Sequence, residues 1–450
     1  MKNNIPRIMI VGTGSGCGKT TITCALLQAL KDRKKSITAF KCGPDYIDPM
    51  FHSKILETRS RNLDMFMCGE NTVKYLMATD SKESEMAVIE GVMGIYDGLS
   101  FDDDRCSANR TALATNTPEL LVVNVKGKAI SLAAEVKGYL EFSRNNIKGL
   151  ILNNCSKAMY TIYKEMLEKQ LNIPCFGYMP VVKDAELGSR HLGLITADEI
   201  VDLKHKMSVL GFAAENSLDI DGMIQLASDT EPFTFDDIAL PESPDEKVKI
   251  AIAQDNAFCF YYEDSLELLR NLGVELIPFS PISDKKLPGN VKGLIIGGGY
   301  PELYLDKLSA NIDMLKSIRD AVNGGMPTFA ECGGFMYLGE TITFEGIRYN
   351  MVSAIPGNSS MTDHLVRFGY KTIKAKHNNV MCKCGDETRC HEFHYSETDD
   401  YGADFEESNL RGTKWESIQA NDHLFAGYPH LHLWSNISFA VSFVDNCRNY

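Results

Sequence analysis

The sequence predicts an α/β protein of two domains, each built on a largely parallel sheet. Three observations carry that expectation. Short, nearly continuous apolar runs recur between helical stretches, at 7–11, 86–90, 120–124 and 149–153 in the first half and at 248–253, 293–297 and 327–330 in the second. Runs of this kind fit strands covered on both faces. In each half one such run feeds straight into a glycine-rich turn and then a helical stretch, the order in which α/β units are made. Between the halves lies Pro241-Glu-Ser-Pro-Asp-Glu-Lys247, polar and twice interrupted by proline, the composition of a linker. The expected division is 1–240, a linker at 241–247, and 248–450. The polar segment 371–412 carries no strong period and is expected to form loops and edge strands.

Bulk properties narrow the function classes. With 450 residues, 44% hydrophobic and 24% charged, the chain is an ordinary globular one that can bury sizeable cores. Its formal charge of −14 argues against nonspecific nucleic-acid binding, which relies on neutralising phosphates, and against docking on an acidic membrane. The 13 cysteines are an odd number scattered along the chain and read as free thiols of a reducing, cytoplasmic compartment. Lys2 and Arg7 precede an apolar run too short for a signal peptide. No apolar stretch approaches the ~20 residues of a membrane span.

The first glycine turn, Gly12-Thr-Gly-Ser-Gly-Cys-Gly-Lys-Thr-Thr21, follows a strand and opens a helix expected over 20–30. That is the context of a phosphate loop. Thr13, Gly14, Ser15, Gly16, Cys17, Gly18, Lys19, Thr20 and Thr21 are the candidate ATP-binding residues. Backbone N–H groups cradle phosphate oxygens, Lys19 reaches the β/γ-phosphates, and the Thr20 hydroxyl ligates Mg²⁺. Thr13 stands where the common pattern has its first glycine.

Two acidic stretches belong beside this loop, Lys41-Cys-Gly-Pro-Asp-Tyr-Ile-Asp-Pro49 and Glu90-Gly-Val-Met-Gly-Ile-Tyr-Asp-Gly98. Carboxylates at the carboxyl ends of parallel strands face the crevice where ligands bind. With Thr20, Asp45 and Glu90 are the candidate Mg²⁺ ligands. Asp48 and Asp97 are assigned to the second substrate or an acyl-phosphate.

The second turn, in Pro327-Thr-Phe-Ala-Glu-Cys-Gly-Gly-Phe-Met-Tyr-Leu338, sets Cys332 between a buried strand and a helix start. A nucleophile on so tight a turn is lifted clear of the sheet, and the helix N-terminus favours its thiolate. Gly298, Gly299 and Gly333 are candidate donors for the oxyanion and the glutamine site. Ala426-Gly-Tyr-Pro-His-Leu-His-Leu-Trp434 offers two bases at alternate strand positions. His430 is favoured and His432 is the second candidate.

Together these motifs resemble the cobyrinate a,c-diamide synthases. The resemblance rests on Lys41–Asp48, Glu90–Asp97, Ser189-Arg-His-Leu-Gly193, Ala330-Glu-Cys-Gly-Gly334 and His391-Glu-Phe-His-Tyr-Ser396, in order over nearly the whole chain. It implies a P-loop half similar to dethiobiotin synthetase and a flavodoxin-like, class I glutamine amidotransferase half with a Cys–His pair. It also implies ATP- and glutamine-dependent amidation of the a- and c-carboxylates of cobyrinic acid. ATP, glutamine and a tetrapyrrole polycarboxylate are then the small-molecule partners, and a homodimer is compatible with this reading. The motifs leave open a related macrocycle, hydrogenobyrinic acid or nickel-sirohydrochlorin. A different class, a P-loop ATPase regulator with a degenerate amidotransferase domain, is opposed by the presence of both Cys332 and His430. The run Cys382-Lys-Cys-Gly-Asp-Glu-Thr-Arg-Cys-His391 departs from ordinary zinc spacing and is read as reduced surface-loop cysteines rather than a metal site.

Overall fold

The computed structural model describes residues 1–185 and 203–450; the 189–193 signature lies outside the described residues. The chain folds as two compact units, Met1–Met65 with Gly69–Ile238, and Phe66–Cys68 with Ala239–Tyr450.

In the first unit the strands are β1 (Arg7–Gly12), β2 (Ile37–Cys42), β3 (Arg59–Leu63), β4 (Met86–Glu90), β5 (Glu119–Asn124), β6 (Ile147–Asn153) and β7 (Cys175–Met179). They form one seven-stranded sheet in the order β3-β2-β4-β1-β5-β6-β7, and every neighbouring pair is parallel. Helix α1 (Lys19–Asp32) follows β1 and packs Ile22, Ala25, Leu26 and Ala29 into a core with Ile8, Ile10, Val88 and Val122. Its apolar residues recur at the spacing that makes one helical face. Leu26→Ala would cost about 2–5 kcal/mol through lost burial and the cavity left behind. The strand order has a direct consequence for chemistry. β2, β4 and β1 are neighbours, so the chain leaves the sheet at Lys41, Glu90 and Gly12 side by side, with Lys41 opposite Glu90 and Glu90 opposite Ile10.

The second unit begins with β8 (Val248–Ala253), α2 (Glu263–Asn271), β9 (Val274–Phe279), β10 (Gly293–Ile296), β11 (Thr328–Glu331) and the short α3 (Gly333–Leu338). After them come β12 (Arg367–Ala375), β13 (Glu387–His394), β14 (Phe405–Asn409), β15 (Lys414–Ser417), β16 (Gln419–Asn421), β17 (Leu424–Gly427) and β18 (His430–Leu431). The main sheet has the order β9-β8-β10-β11-β17-β16. Its first five strands are parallel and β16 adds antiparallel to the edge. A four-stranded sheet and a five-stranded one, β15-β14-β12-β13-β18, complete the unit.

The five-stranded sheet corrects the expectation for 371–412. Much of that segment forms antiparallel strands, and β12 is a central strand paired on both sides. Burial along β12 and β13 does alternate, but Lys371, Glu392 and Glu407 sit at buried positions of one face beside Ile373 and Cys390. Charged residues on the covered face hide the apolar period that marks a strand.

Among the described residues no helix is long and apolar enough to cross a membrane.

Candidate active sites

The loop after β1 turns through Gly16 at φ 74° and Gly18 at φ 104°, left-handed conformations that only glycine adopts cheaply. Gly18 also has no room for a side chain, because an added Cβ would lie 2.0 Å from Asn153 Nδ2. Asn153, at the end of β6, donates to Cys17 O at 2.8 Å and braces the loop from below. Tyr139 Oη donates to Thr13 O at 2.6 Å. Ser15 and Gly16 form the exposed crest, whereas Cys17 is buried. Thr20 and Thr21 lie in the first turn of α1. The Lys19 ammonium lies along the loop, donating to Gly14 O at 3.0 Å and to Met93 O. Burial lowers its pKa.

The acidic stretches meet the loop through the neighbouring strands. Thr20 Oγ1 donates to Glu90 Oε1 at 2.6 Å. Lys41 Nζ donates to the same Glu90 oxygen at 2.9 Å and to Asp48 Oδ2, while Asp45 Oδ2 is 3.9 Å away. Burial opposes the Lys41 charge, but Asp48, Glu90 and Asp45 outweigh it and raise its pKa. Glu90, fully buried and beside Asp48, is pushed up to about 7. Asp45 Oδ1 accepts from the Ile47 and Asp48 N–H groups, so it also closes the turn. Asp97 Oδ2 accepts from Gly94 N at 2.7 Å. Its loop is tied to the phosphate loop by Ile95 N donating to Gly12 O. Lys41, Asp48 and Glu90 thus form one tight cluster under Thr20, with Asp45 at its rim and Asp97 on the neighbouring loop. Sequence reasoning gave no role to Lys41, or to His52, whose Nε2 is 3.8 Å from Glu90 Oε2. The signal for Lys41 was available, since it ends a strand beside two acids.

In the second unit Cys332 directly follows β11 with φ 48° and ψ −105°, a conformation that costs a non-glycine residue roughly 1–3 kcal/mol and clusters at functional sites. Its backbone N–H donates to Gly427 O at 2.8 Å. Gly334 lets the following helix approach β10, since a Cβ there would lie 2.1 Å from Ile296 O. Gly334 N donates to Gly297 O, which holds the Gly297-Gly298-Gly299 turn against the elbow. A Cβ on Gly333 would sit 3.4 Å from Gly299 N.

The two histidines have different surroundings. A Cβ on Gly298 would meet His430 Cε1 at 2.6 Å, so the His430 ring lies on the glycine turn beside the elbow. His432, past the end of β18, packs its ring on Tyr262 with centroids 4.8 Å apart. Burial, then the neighbouring His394, lowers the His430 pKa to about 4; burial alone takes His432 to about 3. Burial, then Glu302, raises the Cys332 thiol, and the Gly333 N–H opposes that shift. Burial thus favours the neutral form of both the His430 imidazole and the Cys332 thiol.

Sequence reasoning assigned no role to the polar groups behind this pair. His394 stacks on Tyr428 at 3.8 Å, and its Nε2 is 3.5 Å from Glu392 Oε1. The signal was the pair of histidines and the glutamate in His391-Glu-Phe-His-Tyr-Ser396. Cys382, Cys384, Cys390 and His391 do not converge. The surface-loop expectation holds for Cys384, which is exposed, but Cys382 and Cys390 are buried, Cys390 because it faces inward from a central strand; Cys390 and His391 are successive strand residues facing opposite ways.

Residues 8–195 match the family described as the CobQ/CobB/MinD/ParA nucleotide binding domain, and residues 249–437 match the CobB/CobQ-like glutamine amidotransferase domain. The fold and the two centres therefore define a nucleotide-binding, glutamine-dependent amidotransferase enzyme. Similar proteins carry the name cobyrinate a,c-diamide synthase. The one from Caldanaerobacter subterraneus subsp. tengcongensis is 40% identical over 449 residues, 98% of each chain. That from Priestia megaterium is 38% identical over 98% of this chain and 97% of its own. That from Salmonella typhimurium is 41% identical over 86% and 85%. The chain belongs to the cobyrinate a,c-diamide synthase family.

Proposed function

We propose that the protein uses ATP and glutamine to convert the a- and c-carboxylates of cobyrinic acid to primary amides. Family membership supports the overall reaction. The observation that carries the chemical reading is the elbow, where a strained Cys332 follows its strand beside a glycine turn on which the His430 ring lies.

In the amidotransferase unit His430 takes the Cys332 proton as sulfur attacks the glutamine side-chain carbonyl. The oxyanion is met by backbone N–H groups from Gly298, Gly299 and Gly333. His430 returns the proton to the departing nitrogen, which leaves as ammonia. Water then cleaves the thioester to free glutamate and Cys332. In the nucleotide unit the loop from Thr13 to Thr21 holds ATP, and a substrate carboxylate takes the γ-phosphoryl group to give an acyl-phosphate and ADP. Ammonia displaces phosphate to give the amide. Lys19 neutralises the β/γ-phosphates, while Asp48 and Asp97 orient the carboxylate.

The residues fit Mg²⁺. Thr20, Asp45 and Glu90 supply only oxygen, and the buried Glu90 Oε2 has no hydrogen-bond partner among the described residues. A nucleotide-bound Mg²⁺ needs only one or two protein carboxylates beside phosphates and water. When bound, the ion neutralises charge on the phosphates.

The test is incubation with cobyrinic acid, ATP–Mg²⁺ and glutamine, followed by mass analysis. Two carboxyl-to-carboxamide conversions are expected. Glutamine consumption without amidation of this macrocycle, but with amidation of hydrogenobyrinic acid or nickel-sirohydrochlorin, would move the substrate assignment.

A further inference from the structure

The nucleophile and its base come from distant parts of the chain, so something must fix their separation. His432, two residues after His430, is a neutral ring packed on Tyr262. Burial also keeps Glu331, the residue before the nucleophile, largely uncharged, with its pKa raised to about 8. Its Oε1 accepts a 2.6 Å hydrogen bond from the backbone N–H of Leu431, 100 residues away in sequence. That N–H belongs to the peptide joining His430 to Leu431. Glu331 is 6% exposed and both histidines are more buried still.

We infer, building on the Cys332–His430 reading above, that Glu331 is a positioning residue: its side chain clamps the peptide after His430 to the strand that carries Cys332, and so sets the distance between nucleophile and base. The clamp is short. From Cys332 it runs back one residue, out along one side chain, and into the backbone next to His430. The rest of the segment is held elsewhere, by Ser265 Oγ accepting from Leu433 N at 2.9 Å and Asp264 O accepting from Trp434 Nε1 at 3.0 Å. Those two bonds fix the segment to α2 and its start, β18 pairs with β13, and the β11–β17 ladder ends at Gly427; the Glu331 side chain adds a tie from the elbow strand to the peptide directly after His430. A carbonyl oxygen at the right height is what the clamp requires, so a glutamine can replace the glutamic acid and an alanine cannot.

The experiment compares Glu331→Ala, Glu331→Gln and Cys332→Ala in the full chain, with glutamine varied and, separately, with ammonium chloride replacing glutamine. For Glu331→Ala, kcat with glutamine is expected to fall by about 10- to 100-fold, the scale of a misplaced catalytic group, while KM for glutamine changes little. Glu331→Gln should keep most of the wild-type kcat. Ammonia-dependent synthesis should be unchanged in both, which shows that the chain is folded. Full glutamine activity in Glu331→Ala, equal losses in the Ala and Gln variants, a change confined to KM, or a parallel loss of ammonia-dependent synthesis would each overturn the clamp. If instead Cys332→Ala retains glutamine turnover, it is the Cys332–His430 reading that fails.

Discussion

The phosphate loop and the cysteine elbow have the same local plan. Each leaves the carboxyl end of a parallel strand, turns on glycines and enters a helix. They handle charge and strain in opposite ways. In the phosphate loop the left-handed positions are glycines, Gly16 and Gly18, so the backbone is relaxed. Its titrating groups are buried among opposite charges, Lys41 between Asp48 and Glu90. At the elbow the positive φ falls on Cys332 itself, and the groups around it are buried where their neutral forms are favoured: Glu331, His430 and the thiol. The first arrangement suits a fixed polyanion, which wants many N–H donors and a permanent cation. The second suits a proton that must move, which wants groups able to change charge.

Cys332→Ala tests the comparison most severely. Glutamine-dependent synthesis should fall by a factor on the order of 10⁶, the scale of losing a nucleophile, while ammonia-dependent synthesis survives. Loss of both activities in a folded variant would show that the two turns do not divide the work. His430→Asn should slow glutamine hydrolysis by about 10²- to 10⁴-fold, the range for a general base, and His432→Asn should slow it much less. The reverse ranking, read from glutaminase rates, would exchange the two histidines.

Lys19→Ala should reduce synthesis from either nitrogen source by about 10²- to 10³-fold, the scale of removing one charge-stabilising donor. Unchanged ATP turnover would sink the phosphate-loop assignment. The pH dependence sharpens the contrast further. Because burial lowers His430 from its ordinary value of 6.5 to about 4, the neutral base persists on acidification. The acid limb of kcat/KM for glutamine hydrolysis should therefore fall below pH 6.5 and toward 4, and an acid limb at 6.5 or above would mean a solvated base. The smallest effect is expected from Gly18→Ala, where left-handed backbone alone costs about 1–2 kcal/mol before the contact with Asn153 is relieved. Nucleotide affinity should drop with glutaminase unaltered, and an equal loss of glutaminase would show that the two turns are not independent.

Much of this was legible along the chain. The expected strand at 86–90 matches β4, that at 248–253 matches β8, and the phosphate-loop helix starts one residue before the expected 20. Strand, glycine turn and helix start are contiguous, so neighbouring residues carry the signal. The five-stranded sheet was not legible, because Lys371, Glu392 and Glu407 occupy its covered face and break the apolar alternation.

The sequence by itself determined the two turns, their order, and the residue types at each crest. Which groups meet was decided by tertiary structure. Strand order brings Lys41 to Glu90 across a separation of 49 residues. The pairing of β11 with β17 brings the segment after Gly427 beside Cys332, and past the short strand His430–Leu431 the packing gives His430 to the glycines and His432 to Tyr262. Two histidines two positions apart are chemically identical in the sequence. Only the packing around each ring, and the carboxyl of Glu331 on the peptide between them, makes them different.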